Sequence, residues 1–177
     1  MNDVAIVGIG MHAFGRHEGV SGLEQGAAAA RQACADAGVS WADVPFAVGG
    51  SRDGGYPDRL VSLLGLTGLP FLNVINGCAT GGAALITAVN TIRAGAHDLG
   101  IAIGFDKHAR GAFVPSSTVA GARDWYGGSG LSLTTQFFAM KINRYMEQHG
   151  ISQRALARVA AKAFRNGARG RLPEESR

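Results

Sequence analysis

Cys78 is the residue whose type and position most clearly favour chemistry. It follows the apolar run Phe71–Ile75 and precedes a segment of small residues, 79–84, that is typical of a helix start. A thiol at a helix N-terminus faces unpaired backbone N–H groups and the positive end of the helix dipole. Both favour the thiolate, which is the nucleophilic form of cysteine. The sequence therefore predicts a nucleophilic cysteine where a strand passes into a helix.

A structural role for Cys78 is the alternative, because free cysteine is among the most buried residue types. A cysteine nucleophile also needs a base or another source of activation. The histidines are scattered, and none is paired with Cys78 by its spacing; they are His12, His17, His97, His108 and His149. Both interpretations of Cys78 remain open at this point, whereas the position of Cys34 in a helical pattern predicts a core residue.

Two nucleotide-binding motifs are absent from the sequence. The pair Gly8 and Gly10 follows an apolar run, but the dinucleotide-binding fingerprint needs a third glycine at the position of Ala13. No glycine-rich loop ends in Lys-Ser or Lys-Thr, as a phosphate-binding P-loop would. The glycines near the N-terminus are therefore not interpreted as a nucleotide site.

The composition indicates a folded domain packed mainly through small residues. Of 177 residues, 46% are hydrophobic but only 7% aromatic, and 27 are glycine. The two cysteines do not form a disulfide framework, and they lack the clustered spacing of a metal site. No run of about 18 apolar residues predicts a membrane span. The first residues do not resemble a signal peptide, so we expect a cytoplasmic protein without a metal.

The positive charge is concentrated near the C-terminus. The chain has a formal charge of +4, and residues 154–177 contain seven basic residues against two acidic ones. Such a segment suits nucleic acid, a phosphorylated cofactor, an acidic partner or plain solvation. Phe164 is the one aromatic residue among these charges, and a protein that binds single-stranded nucleic acid uses several for base stacking. We therefore do not expect nucleic-acid binding.

The order of the predicted elements favours an α/β fold with a buried, largely parallel sheet between helices. Ser21 and Glu24 have the spacing of a capping box, and Gly38 marks the end of the helix that they begin. The predicted strands are Val4–Ile9, Val44–Val48, Phe71–Ile75 and Leu99–Ile103; the predicted helices are 22–37, Asp58–Leu64, a long helix from Cys78 to near Gly95, 131–148 and 153–166, the last of these ending at Gly167. We expect an α/β core over residues 1–105 and a basic, helical segment over 106–177.

Several motifs, in their order along the chain, resemble the thiolase superfamily, and within it the sterol carrier protein X or lipid-transfer type. The motifs are Val4–Met11 with Phe14, Gly65–Val74, the cysteine box Asn76–Gly81, Ala102–Lys107, and Gln136–Phe138 through Tyr145–Gly150. The similarity extends over nearly the whole chain. It departs from the type at Gly77 and Gly82, where Asn and Ser are frequent.

The resemblance implies a function and a site. Cys78 would accept an acyl group from a coenzyme A thioester, in thiolytic cleavage or acyl transfer on lipid or sterol side-chain substrates. Asn76 and Gly77 would shape its surroundings, and the acyl pocket would include Phe137, Phe138 and Met140. The coenzyme A phosphates would suit the basic residues Lys162, Arg165 and Arg169; a solvated helix face is the alternative for these charges.

The resemblance also implies that half of the active site lies elsewhere. Thiolases are about twice this length, and their second half supplies a Gly-His-Pro histidine, a second catalytic cysteine and a His-Asp-Cys-Phe segment, none of which is in this sequence. We expect the isolated chain to be inactive and to need a chain that carries the C-terminal half, as a homodimer or hetero-oligomer. Two alternatives are a retro-aldolase subunit for steroid-CoA esters with an OB-fold partner, and a non-catalytic subunit that binds acyl-CoA.

Overall fold

The structure is a computed structural model that describes residues 3–51, 56–107 and 133–169, together with Trp125 and Ser129. The side chains of Pro57 and Arg169 are outside this description. The chain divides into two compact units, Met1–His108 and Ala109–Arg177.

The first unit is built on a parallel sheet of three strands, in the order β2-β1-β3. The strands are β1 (Ala47–Gly50), β2 (Phe71–Asn73) and β3 (Ile101–Gly104). Ala47 is in register with Phe71 on one side and with Ile101 on the other. The helices are α1 (Gly22–Ala37), the short α2 (Val61–Leu64) and α3 (Thr80–Arg93); 3₁₀ turns occupy Trp41–Asp43, Pro57–Leu60 and Gly77–Ala79. The predicted α/β fold with a parallel sheet is confirmed.

The two long helices of this unit cover opposite faces of the sheet. Ala27 and Ala30 of α1 pack with Ile103 and Phe105. Ala84 and Ala88 of α3 pack with Phe46 and Val48 on the other face. The sheet is thus buried between helical layers, as a parallel sheet requires.

The capping residues of α1 explain why its limits agree with the prediction. Ser21 Oγ accepts a hydrogen bond from the Glu24 N–H at 3.1 Å, and the Glu24 carboxylate accepts one from the Ser21 N–H at 2.6 Å. Gly38 ends the helix in the left-handed conformation, with φ 68°. Cys34 is buried in this helix, as predicted.

The prediction of a buried strand over Val4–Ile9 is wrong. These residues form no strand, and the exposed fractions of Ile6 and Ile9 are 72% and 74%. A strand needs a neighbour for its backbone groups as well as an apolar pattern, and no backbone–backbone hydrogen bond joins residues 4–10 to another part of the described chain. The segment lies along α1 instead.

The spacing of Leu85, Ile86, Val89 and Ile92 predicts one apolar stripe on α3, but this stripe is buried only in part. The helix buries its alanines, Ala84 and Ala88, because small side chains allow close approach to the sheet. The exposed fractions of the larger Leu85 and Ile86 are 44% and 62%. The spacing of the apolar residues correctly predicted a helix, but it did not identify the helix face that packs against the sheet.

The described part of the second unit contains two helices, α4 (Thr134–His149) and α5 (Gln153–Arg169). The Gln136 side chain accepts a hydrogen bond from the Leu133 N–H at 3.0 Å and so caps α4, which ends at Gly150 with φ 63°. The predicted end of α5 at Gly167 is wrong, since the helix continues to Arg169. A glycine disfavours a helix by only about 1 kcal/mol. None of the helices among the described residues is long and apolar enough to cross a membrane.

Candidate active site

Cys78 lies at the junction between the sheet and α3, as the sequence predicts. It is the middle residue of the 3₁₀ turn Gly77–Ala79, which leads directly into α3 at Thr80. Gly77 has a φ of 53°, a left-handed conformation that costs glycine little and most other residues more. The chain can therefore turn sharply from β2 into the helix just before the cysteine.

Thr80 fixes this turn through two hydrogen bonds. Its hydroxyl donates to the Gly77 carbonyl at 2.7 Å and accepts from the Asn76 N–H at 2.9 Å. The Ala79 N–H donates to the Asn76 carbonyl at 3.0 Å. Cys78 is thus enclosed in a short hydrogen-bonded loop whose backbone has little freedom.

The end of β1 packs closely against the same turn. The Val74 N–H donates to the Gly49 carbonyl at 2.9 Å. A Cβ atom on Gly50 would lie 2.8 Å from the Val74 carbonyl oxygen and would collide with the Thr80 methyl group. Gly50 therefore lets the strand end close to the cysteine turn, a contact that sequence reasoning missed because it is not local.

The Cys78 side chain is exposed. The alternative that Cys78 is a buried core residue is therefore wrong in this structure. Within the described chain, no hydrogen bond engages the N–H groups of Gly77 and Cys78. The cysteine thus combines an accessible thiol with backbone donors that are free to bind an anionic oxygen.

Cys34 provides a contrast within the same unit. It is buried in α1, and burial raises the pKa of its thiol above the ordinary value of 9.0. A higher pKa lowers the thiolate fraction, and burial hinders access. Of the two cysteines, the exposed Cys78 is the one placed for reaction.

The residues predicted to line an acyl pocket lie on α4 in the second unit. Phe137, Phe138 and Met140 are exposed on this helix, and the two rings are 6.0 Å apart in an edge arrangement. The Lys141 ammonium group lies 4.7 Å from the centroid of the Phe137 ring and 5.5 Å from that of Phe138. The described residues of this unit leave these apolar side chains open to a ligand or a partner.

The basic residues predicted to bind coenzyme A lie on α5. Lys162 and Arg165 are exposed and fall at helical spacing with Arg154 and Arg158; the Arg169 side chain lies outside the described part. Exposed Val159 and Phe164 also lie on α5. Phosphate binding by the basic face stays a prediction. The described residues contain no cluster of three or more His, Cys, Asp or Glu side chains suited to a metal ion.

A family profile described as "Thiolase, N-terminal domain" matches residues 4–171. The chain belongs to the thiolase family. It is 31% identical over 169 residues to an acetyl-CoA acetyltransferase of Methanothermobacter thermautotrophicus, and 31% identical over 175 residues to sterol carrier protein 2 of Gallus gallus. A benzoylsuccinyl-CoA thiolase subunit, BbsB, of Thauera aromatica is 31% identical over 170 residues.

Among solved structures, the chain is similar to that of an "Ltp2-ChsH2(DUF35) aldolase", with a TM-score of 0.66 and 25% identity. That match covers 84% of this chain and 39% of the other. The alignments with the acetyltransferase and with the chicken protein each cover 90% of this chain, but 44% and 32% of those proteins; the one with BbsB covers 92% and 43%. The chain thus spans less than half the length of these relatives.

Proposed function

We propose that this chain is the N-terminal half of a thiolase-type enzyme in which Cys78 accepts an acyl group from a coenzyme A thioester. The observation that carries the proposal is the exposed Cys78 thiol on the turn that begins α3. Membership of the thiolase family supports the choice of an acyl-CoA as the substrate. Without the family membership, the geometry of the site would indicate a reactive cysteine but no particular substrate.

The proposed step is acyl transfer to sulfur. The Cys78 thiolate attacks the thioester carbonyl carbon, the carbon–sulfur bond to coenzyme A breaks, and coenzyme A leaves as a thiolate that takes up a proton. The product is an acyl thioester on Cys78. In the thiolytic direction, the Cys78 thiolate attacks the 3-keto carbon of a 3-ketoacyl thioester, and the bond between C2 and C3 breaks. Acetyl-CoA leaves as an enolate, which is protonated, and the shortened acyl group remains on Cys78.

The backbone around Cys78 supports stabilisation of the negative oxygen that forms during attack. The N–H groups of Gly77 and Cys78 are free among the described residues, and an oxyanion is stabilised by such fixed donors. Loss of one oxyanion donor typically costs about 10²–10³ in rate. The rigid loop closed by Thr80 keeps these donors in place.

The acid and base of the reaction are proposed to come from the complementary half. We infer that 1–177 alone does not complete the cycle, because protonation of the leaving group needs a positioned acid. An assembly with a chain or segment that carries the rest of a thiolase fold would supply it. Phe137, Phe138 and Met140 would then contact the acyl chain, and Lys162, Arg165 and Arg169 the phosphates of coenzyme A.

A retro-aldolase is a second candidate, favoured by the similarity to the solved aldolase. Such an enzyme cleaves a 3-hydroxyacyl-CoA to an acyl-CoA and a carbonyl compound, and it consumes no free coenzyme A. The name of that aldolase pairs it with a DUF35 component, which supports a hetero-oligomer for this chain. We favour acyl transfer because Cys78 is accessible, which retro-aldol cleavage does not require.

The dependence on free coenzyme A distinguishes the two reactions. The chain is combined with a C-terminal half of the acetyl-CoA acetyltransferase type and given 3-ketoacyl-CoA or 3-hydroxyacyl-CoA. Acyl transfer predicts repeated cleavage of the 3-keto substrate only when coenzyme A is added to remove the acyl group from Cys78, and loss of this cleavage in Cys78→Ala. Cleavage of the 3-hydroxy substrate without added coenzyme A, unaffected by Cys78→Ala, would establish the aldolase instead.

A further inference from the structure

One face of α5 carries a row of positive charges. Its members recur at intervals of four, four and three residues; they are Arg154, Arg158, Lys162 and Arg165. Because successive residues of a helix are rotated by about 100°, these four positions fall within about 80° of the helix circumference. All four side chains are exposed. We call this row the basic stripe, and it runs for about 16 Å along the helix.

The basic stripe has no anionic partner among the described residues. Helix α5 contains no Asp or Glu, and Glu147 of α4 is the one acidic residue within 133–169. No hydrogen bond or ion pair within the described part of the chain engages the four side chains. A helix face that is merely solvated often pairs its cations with acidic residues three or four positions away. The described chain therefore leaves the charge of this face uncompensated.

The spacing of the basic stripe makes its own members repel one another. Arg154 and Arg158 are four residues apart, as are Arg158 and Lys162, and Arg165 follows Lys162 by three. Like charges at these spacings destabilise a helix, whereas acidic residues at alternate positions would stabilise it. An anionic surface along the stripe would remove this repulsion. The arrangement therefore favours a complex with an extended anion over the free helix.

Coenzyme A would cover only one end of the basic stripe. The contacts proposed above involve Lys162, Arg165 and Arg169, whereas Arg158 and Arg154 lie about one and two turns closer to the start of the helix. The diphosphate and the 3′-phosphate of coenzyme A are attached to one ribose and therefore lie close together. The proposed coenzyme A contacts thus leave Arg154 and Arg158 without an anion.

We propose that Arg154 and Arg158 bind carboxylates on an acidic helix of a second protein, which lies along the basic stripe. Carboxylates four residues apart on a helix are separated by about 6 Å along its axis, as are Arg154 and Arg158. Two helices side by side can therefore pair each guanidinium group with one carboxylate in the bidentate geometry that arginine favours. The hetero-oligomer proposed above would provide the second protein.

A lipid surface fits the basic stripe less well than an acidic helix. Helices that bind membrane surfaces insert an apolar face between the headgroups. Among the described residues of α5, none within the arc of the stripe is apolar. The larger apolar residues, Leu156, Val159 and Phe164, lie at least about 60° outside this arc. The face that would contact the membrane therefore offers nothing to insert.

A second copy of this chain does not supply the acidic helix. Among the described helices, α1 contains Glu24 and Asp36, which are twelve residues apart, and α4 contains Glu147 alone. The helices α2, α3 and α5 contain no acidic residue. None of the described helices presents carboxylates three or four residues apart, so the partner is a different protein.

Two synthetic peptides test the docking of an acidic helix on unsubstituted 1–177. The striped peptide carries four Glu residues at intervals of four, four and three in an Ala- and Gln-rich helix. The control peptide has the same composition, with its Glu residues spread around the helix. Fluorescence anisotropy at low salt should show the striped peptide binding at least about fivefold more tightly, since exposed charge pairs each contribute modestly. Equal affinities, or no binding, would overturn the proposal.

Substitution of two arginines tests the place of the contact. Arg154→Gln combined with Arg158→Gln should reduce the affinity for the striped peptide to that for the control peptide. Arg16→Gln combined with Arg144→Gln is the matched control, because it removes the same charge from exposed positions outside α5. This control should bind the striped peptide as the unsubstituted chain does. Equal weakening by the two double variants would show that only net charge matters and would contradict the proposal.

Two competing anions complete the test. Saturating coenzyme A should not abolish binding of the striped peptide, because it leaves Arg154 and Arg158 free; complete displacement would assign the stripe to coenzyme A instead. Binding of phosphatidylglycerol and phosphatidylcholine vesicles that depends on both arginines, without a preference between the peptides, would assign it to a membrane and overturn the proposal. Cys78→Ala should bind the striped peptide normally, so the result is independent of the proposed catalysis.

Discussion

The hydroxyl of Thr80 donates a 2.7 Å hydrogen bond to the carbonyl of Gly77, and these two residues bracket Cys78. The same hydroxyl accepts from the Asn76 N–H. One side chain therefore closes the backbone loop that presents the thiol. Removal of the Thr80 hydroxyl should therefore disturb the turn that holds Cys78 while leaving the cysteine itself in place.

Thr80→Val tests this role, since valine has a similar shape but no hydroxyl. We expect the free energy of unfolding to fall by about 1–2 kcal/mol, because two hydrogen bonds are lost. Thr80→Ser retains the hydroxyl and should recover most of this loss. Urea denaturation of the three proteins provides the comparison, and equal stability of the Val and Ser variants would argue against the role of the hydroxyl.

Gly50→Ala should displace the cysteine turn. The new Cβ would collide with the Thr80 methyl group and lie 2.8 Å from the Val74 carbonyl, and such overpacking typically costs about 1–3 kcal/mol. Gly81→Ala is the matched control, because no atom lies within 4 Å of the Cβ that it adds. It should raise stability by up to about 1 kcal/mol through helix propensity. Thermal denaturation that ranks Gly50→Ala at or above the unsubstituted protein would contradict the close contact.

The two cysteines should differ in their reaction with iodoacetamide. Cys78 is exposed, whereas Cys34 is buried in α1 with a raised pKa. We expect peptide mass mapping of the native protein to find modification at Cys78 and little at Cys34. Both should react after unfolding in urea. Equal labelling of the two thiols in the native protein would contradict the structure around either residue.

Glu24 should make the stability of the first unit depend on pH. Hydrogen bonds from the Ser21 N–H and hydroxyl lower the pKa of Glu24 below its ordinary value of 4.5. The unfolded chain therefore binds a proton more readily, so this stabilisation is present above pH 4.5 and is lost as the pH falls through the lower, folded-state pKa. Glu24→Gln can still accept from Ser21 but does not titrate. Its stability should fall less between pH 6 and pH 3, measured by urea denaturation; an unchanged acid dependence would assign the effect to other groups.

The sequence predicted those elements whose limits are set by nearby residues. Ser21, Glu24 and Gly38 determine the ends of α1 through contacts within one turn, and the same is true of Gly150 at the end of α4. The placement of Cys78 between β2 and α3 was predicted for the same reason. Local capping and turn chemistry can be recognised without knowledge of the packing.

The features that the sequence did not predict depend on distant contacts. Val4–Ile9 has the pattern of a buried strand, but the described chain provides no neighbour to pair with it. The contact between Gly50 and Thr80 joins residues far apart in the sequence, and the role of the Thr80 hydroxyl follows only from the fold of the turn.

The most direct measurement is the intact mass of the protein after incubation with acetyl-CoA and the C-terminal half of the Methanothermobacter acetyltransferase. The catalytic cysteine of that C-terminal half is replaced by alanine, so that it cannot accept the acetyl group itself. The proposed function predicts that residues 1–177 gain one acetyl group, that peptide mapping places it on Cys78, and that Cys78→Ala abolishes it. Complete assembly of the two halves without acetylation of Cys78, or an equal gain in the Cys78→Ala variant, would contradict Cys78 as the acyl acceptor.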